Sequence, residues 1–292
     1  MELSVVIVNT QTRDLVLTCL RHLMPELGDL DHEVFVVDNA STDGSVEAIR
    51  REFPAAKVIA NRENRGFARA NNQALRLAGG DQILLLNPDT EIQPGALATL
   101  RRALGTLPDA VVVGPRVLRP DGRLDLACRR SFPSPGVALA RLTGLSRLFP
   151  RARWVARYNL TYTDPNQPAE IDCGTGAALL FDGKAFQAVG YFDEDFFMYG
   201  DDLDVCFRLK AKGGRVYYVP DAVVIHLKGG TTRQRPRPML REFHRSMWLF
   251  YRKHYAHGWG LALAPAVWAG IRLRHGFVLG WNALKGRQIV SP

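Results

Sequence analysis

Short apolar runs alternate with segments of helical spacing along the first part of the chain. The apolar runs are four to seven residues long and rich in Val, Ile and Leu, which is typical of parallel strands buried on both faces. They cover residues 3–9, 34–37, 57–61, 82–86 and 111–114, and the helical segments cover residues 15–27, 45–53, 67–78 and 94–104. This alternation predicts an α/β fold built on a doubly wound, mainly parallel sheet with helices on both faces.

The second part of the chain is less regular. Residues 119–168 combine Pro and Gly residues with a basic stretch and show no clear period, so we expect a long excursion over the functional face that contacts a substrate. Strands are predicted at residues 178–181, 216–219 and 222–226, and helices at residues 185–189, 201–208 and 239–255. Residues 259–271 are apolar but contain Pro265, and together with the preceding helix they predict a C-terminal helical extension.

Polar residues stand at the ends of consecutive predicted strands. Asn9, Asp38 and Asp89 lie at or just beyond the ends of three strands, and Asn64 follows a fourth. In a doubly wound sheet, ligands bind beyond the carboxyl ends of the strands. Four polar residues at four such ends therefore predict a ligand site at this edge of the sheet.

Two common nucleotide-binding loops are absent from the sequence. The first strand is followed by Asn-Thr-Gln-Thr-Arg rather than by Gly-x-Gly-x-x-Gly, and no Walker phosphate loop is present. Their absence argues against a nicotinamide or flavin dinucleotide site and against a nucleotidyltransferase. A diphosphate would then need another support, which a metal ion on Asp89 could supply.

Three aspartates interrupt an apolar and aromatic run between residues 196 and 208. They are Asp201, Asp202 and Asp204, and downstream His226 closes the apolar run Ala-Val-Val-Ile-His. Buried carboxylates are costly unless they meet a cation, a metal ion or a substrate proton. Asp201 and Asp202 are neighbours and are expected to titrate jointly. Helix capping by an aspartate and a purely structural core histidine are the simpler interpretations of these residues.

The composition fits a protein with a large core. Of 292 residues, 47% are apolar, and the four cysteines are widely spaced, with no CxxC pair. We therefore expect neither a disulfide scaffold nor a structural zinc site. This use of cysteine suits a protein of the reducing cytoplasm. The N-terminal residues read as a strand rather than as a secretory signal.

The positive charge is concentrated in the C-terminal tail. From residue 229 onward the chain has eleven basic residues and one acidic residue, Glu242, while the net charge of the whole chain is +9. The tail also contains Trp residues and an amphipathic helix, which is typical of segments that lie on a membrane surface. Helices packed on the core with a basic solvent face are the alternative. Nucleic-acid binding is not expected, because no aromatic residues are set in a basic groove.

The order and spacing of several motifs resemble the inverting glycosyltransferase family 2 of GT-A fold, in particular its rhamnosyltransferase-like branch. The resemblance covers most of the chain, roughly residues 3–255. The motifs are Val-Val-Ile-Val-Asn at residue 5, Val-Val-Asp-Asn-Ala-Ser-Thr-Asp-Gly-Ser at residue 36, Asn-Arg-Gly-Phe-Ala at residue 64, Leu-Leu-Asn-Pro-Asp-Thr at residue 85 and Phe-Asp-Glu-Asp-Phe-Phe-Met-Tyr-Gly-Asp-Asp-Leu-Asp at residue 192.

The resemblance implies a role for each motif residue. Asp202 would be the catalytic base, and Asp89 with His226 would coordinate a divalent cation, either Mn or Mg. Asn87 stands where the family's metal-binding motif has its first carboxylate, so one carboxylate is missing. The nucleotide-sugar contacts would be Asn9, Asp38, Asn64, Gly66 and Asn87. Thr10 stands where an aromatic residue is often found, which leaves the nucleotide base open.

The implied function is metal-dependent, inverting transfer of a sugar, with rhamnose as the leading candidate, from a nucleotide-diphosphate sugar to a glycan or lipid-linked acceptor in cell-wall or polysaccharide synthesis. A domain that binds nucleotide sugar or glycan without turnover is the alternative. Residues 1–238 would form the catalytic domain, with a nucleotide-binding half (1–115) and an acceptor and catalytic half (116–238). Residues 239–292 would form basic helices that rest on the inner face of the cell membrane. A homodimer is left open.

Overall fold

The computed structural model describes residues 1–142, 145–149, 151–227 and 236–285. Nine strands of this described part form one sheet: β1 (Leu3–Asn9), β2 (His32–Asn39), β3 (Lys57–Asn61), β4 (Gln82–Leu86), β5 (Thr90–Ile92), β6 (Ala110–Leu118), β7 (Ala169–Ile171), β8 (Ala178–Asp182) and β9 (Arg215–His226). Their order in the sheet is β3-β2-β1-β4-β8-β6-β9-β5, and β7 pairs with β9 at a branch.

The helices within the described residues follow the same chain order. They are α1 (Arg13–Leu27), α2 (Ser45–Glu52), α3 (Phe67–Leu75), α4 (Ala96–Thr106), α5 (Pro135–Leu142), α6 (Leu145–Leu148), α7 (Gly183–Ala188), α8 (Asp201–Ala211), α9 (Pro236–His254) and α10 (Trp259–Lys285). A short 3-10 helix at Leu126–Cys128 follows β6.

The sheet is parallel in its first half and mixed in its second. β3, β2, β1 and β4 run parallel to one another, whereas β8 runs antiparallel to both β4 and β6. β6 and β9 are parallel, and β5 and β7 pair antiparallel with β9. The predicted fold class is confirmed. The strands predicted at residues 216–219 and 222–226 are one strand, because the irregularity between them is a shift of register against β6 rather than a break.

Alternation along the strands produces two apolar layers. Val5 and Ile7 of β1 point into one core with α1, α2 and α4, while Val6 and Val8 point into the other with α3, α7 and α8. The strands can therefore be apolar throughout, since both of their faces are covered. Fully burying one such side chain contributes roughly 1.5–3 kcal/mol.

The predicted division of the catalytic domain at residue 115 falls inside β6, so both halves share one sheet. The division into a nucleotide half and an acceptor half therefore stays a functional prediction. α10 differs from the prediction of a segment broken at Pro265: it runs through this residue to Lys285, because a proline in its second turn removes one backbone hydrogen bond without ending the helix. Arg233, Arg235 and Arg287 of the basic tail lie outside the described residues.

Residues 119–168, predicted as a long excursion without a clear period, contain in their described part a hairpin turn, the 3-10 helix, α5 and α6. The hairpin is closed by a bridge between Leu118 and Leu124 and by the hydrogen bond from the Arg119 amide to the Arg123 carbonyl, 2.8 Å. It prolongs β6 beyond the edge of the sheet where the strand-end residues lie.

Candidate active site

The ends of β1 and β2 are joined by a buried hydrogen bond. Asn9 Nδ2 donates to Asp38 Oδ2 at 2.8 Å, and the backbone amide of Ser41 donates to Asp38 Oδ1 at 2.8 Å. Thr12 Oγ1 in turn donates to Asn9 Oδ1 at 2.6 Å. The two predicted residues thus lie together because β1 and β2 are parallel neighbours in register, with Asn9 opposite Asp38.

The loop before α3 packs against the aromatic run that precedes Asp201. Asn64 Oδ1 accepts hydrogen bonds from the Gly66 amide (2.9 Å) and from Asn39 Nδ2 (3.1 Å). Gly66 has a φ of +80°, and a Cβ at this position would lie 2.6 Å from both Cδ2 and the carbonyl oxygen of Phe197. Gly66 is therefore required by backbone geometry and close packing, whatever contact it also makes with a ligand.

The turn after β4 presents Asn87 and Asp89. The Asn87 amide donates to the Ala177 carbonyl at 2.8 Å, and the Asn87 carbonyl accepts from Thr90 Oγ1 at 2.6 Å. β5 follows at once and pairs antiparallel with β9, so that Thr90 lies opposite His226. The short strand β5, which the sequence pattern does not indicate, is what brings Asp89 next to His226.

Asp89 and His226 are in contact and almost fully buried. His226 Nε2 lies 3.1 Å from Asp89 Oδ1, and its Nδ1 lies 3.9 Å from Asp125 Oδ2 on the other side of the ring. Burial by itself would lower the pKa of His226, but its interactions with Asp125 and Asp89 outweigh burial and raise this pKa to about 9. The imidazole is thus held between two carboxylates, one of which the sequence analysis missed.

Asp89 Oδ1 and His226 Nε2 are 3.1 Å apart and interact directly with each other. A carboxylate oxygen and an imidazole nitrogen are donor types that would hold a divalent cation and supply part of its ligand set here. A carboxylate on the far side of the imidazole is a common outer partner of a metal-bound histidine, and Asp125 lies there. Among the described residues no group of three or more His, Cys, Asp or Glu side chains could hold an ion.

The aspartate pair lies at the start of α8. Tyr199 and Gly200 have left-handed backbone conformations, with φ of +67° and +76°, and this turn starts the helix at Asp201. Carboxylates in the first turn interact favourably with the helix dipole and with the free amides there. Asp202 Oδ1 accepts from the Leu203 amide at 2.8 Å, and Asp202 Oδ2 accepts from the Gly176 amide at 3.1 Å.

Arg130 is the charged partner of Asp202. Its guanidinium lies 2.5 Å from Asp202 Oδ2, and both side chains are largely buried. The same nitrogen also donates to the Gly174 carbonyl. Burial together with the charge of Asp202 raises the pKa of Asp201 to about 8, against a smaller opposing effect of Arg130.

Short chains of contacts connect the predicted residues. The Asn87 amide reaches Ala177, whose neighbour Gly176 donates to Asp202, so the turn after β4 adjoins the start of α8. Asp125 and Arg130 belong to one six-residue segment that reaches His226 at one end and Asp202 at the other. Residues 119–168 gave no period from which Asp125 or Arg130 could have been selected, and a buried arginine has no distinct sequence signal.

Similarity to solved structures defines the class of the fold. The chain is similar to a mannosyltransferase from Pyrobaculum calidifontis solved with GDP-Man and Mn2+, with a TM-score of 0.60 and 19% identity over 98% of this chain and 76% of that chain. It is also similar to residues 1–349 of TarS from S. aureus solved with UDP, with a TM-score of 0.60 and 17% identity over 96% of this chain and 75% of that chain. The fold is GT-A.

The model of glycosyl transferase family 2 matches residues 4–190, and the chain belongs to this family. A relative from Mycobacterium tuberculosis, N-acetylglucosaminyl-diphospho-decaprenol L-rhamnosyltransferase, is 28% identical over 271 residues, which cover 87% of this chain and 86% of the relative. The low-salt glycan biosynthesis hexosyltransferase Agl10 of Haloferax volcanii is 25% identical over 72% of this chain and 62% of its own length. The predicted family, its rhamnosyltransferase-like branch and the enzyme class are confirmed: the chain is a glycosyltransferase.

Proposed function

We propose that this glycosyltransferase moves rhamnose, with inversion, from a nucleotide-diphosphate sugar to a lipid-linked acceptor that ends in N-acetylglucosamine. The observation that carries the proposal is the buried contact between Asp89 and His226 at the strand-end edge, which adjoins Asp202 through Asn87, Ala177 and Gly176. The choice of sugar and acceptor is supported by the name of the Mycobacterium tuberculosis relative.

The donor nucleotide would lie along the ends of β1, β2 and β4. Asp38 and Asn9 form the buried floor for the nucleoside, and the carbonyl and amide groups around Asn64 and Gly66 border it. Asn87 leads from this floor to Asp89, where the diphosphate would lie. Asp89 and His226 would hold a divalent cation, Mn or Mg, and its charge would stabilise the departing nucleotide diphosphate.

Asp202 is proposed as the general base. The acceptor hydroxyl gives its proton to Asp202 while its oxygen forms a bond to the anomeric carbon, and the bond from that carbon to the diphosphate oxygen breaks. Oδ2 already accepts hydrogen bonds from Arg130 and Gly176, whereas among the described residues Oδ1 accepts one, from the Leu203 amide. Oδ1 is therefore the atom to which we assign the incoming proton.

The acceptor side would be formed by residues 116–238, and the C-terminal helices would bring the protein to the membrane that carries the acceptor. We expect a cytoplasmic protein that rests on the inner face of the cell membrane. In the part of the chain that the structure describes, no helix combines the length and hydropathy that a membrane crossing requires. The surface of α10 is apolar on its solvent side, with Trp259, Leu273 and Phe277 exposed.

Calorimetric binding of UDP, dTDP and GDP, each with and without Mn²⁺, tests the donor site. We expect one nucleotide to bind tightly with the cation and at least about tenfold more weakly without it, because the site depends on its metal ligands. Asp89→Asn should weaken binding to a similar degree even when Mn²⁺ is present. Asp121→Asn, a change at an exposed carboxylate in the hairpin turn, is the matched control.

Asp202→Asn separates catalysis from binding. It should keep the wild-type affinity for the nucleotide and lose about 10²–10⁴-fold in transfer rate, as expected for removal of a general base. Binding of all three nucleotides that ignores Mn²⁺ would contradict the metal-dependent mechanism. Transfer that survives in Asp202→Asn would contradict the assignment of the base.

A further inference from the structure

Three groups surround one nitrogen of the Arg130 guanidinium. One of its guanidinium nitrogens contacts Asp202 Oδ2 at 2.5 Å, the Gly174 carbonyl and Cys173 Sγ at 3.4 Å. Its backbone is fixed as well, since its amide donates to the Cys173 carbonyl at 2.9 Å and its carbonyl accepts from the Cys173 amide at 3.1 Å. The fold therefore determines both where Arg130 lies and where its guanidinium points.

We propose that Arg130 is a positioning residue of the transfer reaction: it makes Asp202, rather than Asp201, the charged member of the aspartate pair and leaves Asp202 Oδ1 directed at the acceptor. The proposal rests on the proposed function of Asp202 as the base. Two adjacent carboxylates in a largely buried place cannot both remain charged without strong compensation. One guanidinium beside one of them decides which of the two keeps the charge.

The surroundings of the pair agree with this assignment. The segments packed against α8 bring Arg130 and the Gly176 amide to Asp202. Its neighbours within α8 are Asp201 and the Leu203 amide. Cys173 lies beyond Arg130, where burial raises the pKa of its thiol, so it stays uncharged at neutral pH. Among these neighbours, Arg130 is the cation that contacts the pair. The raised pKa of Asp201 agrees with Asp201 being the member of the pair that holds a proton.

Arg129 offers a matched control one residue away. It is also buried, but its guanidinium donates to Thr163 Oγ1 and to the Thr163 carbonyl, both at 3.1 Å, and it lies over the ring of Tyr218. A variant at Arg129 thus removes a buried arginine from the same segment without removing the partner of Asp202.

The test is a carboxyl-carbon NMR titration of the whole protein as wild type, Arg130→Gln, Arg130→Lys and Arg129→Gln, with the Asp202 signal assigned by its loss in Asp202→Asn. Without the guanidinium we expect the titration of Asp202 in Arg130→Gln to move up by about one pH unit or more. Arg130→Lys should restore most of this change, and Arg129→Gln should leave Asp202 as in the wild type. The acidic limb of the pH profile of kcat/KM should move by the same amount, with nucleotide affinity unchanged.

The two readouts separate the inference from the proposed function. If Asp202 titrates alike in wild type and in Arg130→Gln, or if Arg129→Gln changes it equally, Arg130 does not select the charged carboxylate and the inference is wrong. If the NMR titration moves as expected but no transfer occurs from any nucleotide sugar, the proposed reaction fails while the role of Arg130 toward Asp202 stands.

Discussion

At the scale of single residues, Gly66 combines a left-handed backbone with a contact too close for any side chain. Its φ is +80°, and a Cβ would lie 2.6 Å from the carbonyl oxygen of Phe197. We expect Gly66→Ala to lower the free energy of unfolding by about 2–5 kcal/mol, because about 1–2 kcal/mol of backbone strain adds to about 1–3 kcal/mol of overpacking. Chemical denaturation measures this change.

Two other glycines separate the two costs. Gly95 has a φ of +78° but nothing within 4 Å of its Cβ position, so Gly95→Ala should show the backbone cost alone. Gly105 lies within α4, has neither feature, and should be unaffected or slightly stabilised by Ala. Equal losses in Gly66→Ala and Gly95→Ala would mean that the contact with Phe197 is not what constrains residue 66.

The positions that pattern alone brings together were predictable from the sequence where a residue ends a strand. Asn9 and Asp38 were selected because they end strands, and parallel pairing then brings them together. His226 ends β9 for the same reason. Arg130 and Asp125 could not be selected, since their contacts depend on how a segment without a periodic pattern folds back onto the sheet. The interaction between Asp202 and Arg130 joins residues 72 positions apart.

At the scale of elements, the hairpin after β6 determines the orientation of His226. The Asp125 amide donates to the Val117 carbonyl at 2.8 Å, and Val117 of β6 pairs with Val224 of β9, two residues before His226. We expect Asp125→Asn to weaken Mn²⁺ binding about 10–100-fold, as is usual for an outer partner of a metal-bound histidine. Electron paramagnetic resonance of free Mn²⁺ during titration measures the affinity directly.

Asp121→Asn is the control for this prediction, because Asp121 lies in the same hairpin and pairs with the exposed Arg123. It should leave Mn²⁺ affinity unchanged. If Asp125→Asn also leaves Mn²⁺ affinity at the wild-type value while the fold is retained, Asp125 does not support the cation site.

A buried ionic cluster connects α8 to α9. Asp204 is fully buried and contacts Arg208 Nε at 2.8 Å, Lys253 Nζ at 2.7 Å and His254 Nε2 at 2.8 Å. We expect Asp204→Asn to lower the free energy of unfolding by about 3–5 kcal/mol, because it leaves buried cations uncompensated. Glu242→Gln removes an exposed ion pair with Arg245 and should cost less than about 1 kcal/mol.

The same cluster gives a pH dependence of defined sign. Burial raises the pKa of Asp204, but His254, Arg208 and Lys253 outweigh it, and the net effect lowers this pKa below its usual value. The stabilisation is therefore present above about pH 4, the pKa of an unfolded aspartate, and is lost as the pH falls through the folded value. Asp204→Asn should lose less stability than the wild type over this acidic range, as measured by thermal unfolding at each pH.

The elements themselves were largely predictable where the apolar pattern has a period. β1, β3 and β4 have the predicted bounds, because continuous Val, Ile and Leu runs in a sheet covered on both faces have few alternatives. β5 and β7 were missed because each has three residues, too few to show alternation. The C-terminal apolar segment was predicted to be broken by Pro265 and by glycines, whereas α10 continues through them to Lys285.

At the scale of the whole molecule, α10 carries most of the large apolar side chains that the described residues expose. Ile271 is buried, while Trp259, Leu273, Phe277 and Leu284 face solvent along one line of the helix, with Leu273 76% exposed. A surface of this kind on a single chain marks an interaction site. The basic residues of α9 and α10, with Glu242 as their one acidic residue in that range, favour a surface with negative charge.

We therefore expect the protein to bind vesicles of phosphatidylcholine and phosphatidylglycerol, and to bind more weakly when the anionic lipid is left out. Leu273→Ser with Phe277→Ser should lower the partition coefficient about a hundredfold, since each apolar side chain withdrawn from the lipid costs about 1.5 kcal/mol. Leu77→Ser, at an exposed leucine far along the chain from α10, should bind as the wild type does. Sedimentation without lipid decides the competing interpretation: a dimer that the paired serine variant converts to a monomer would show that a second copy, rather than a bilayer, covers α10.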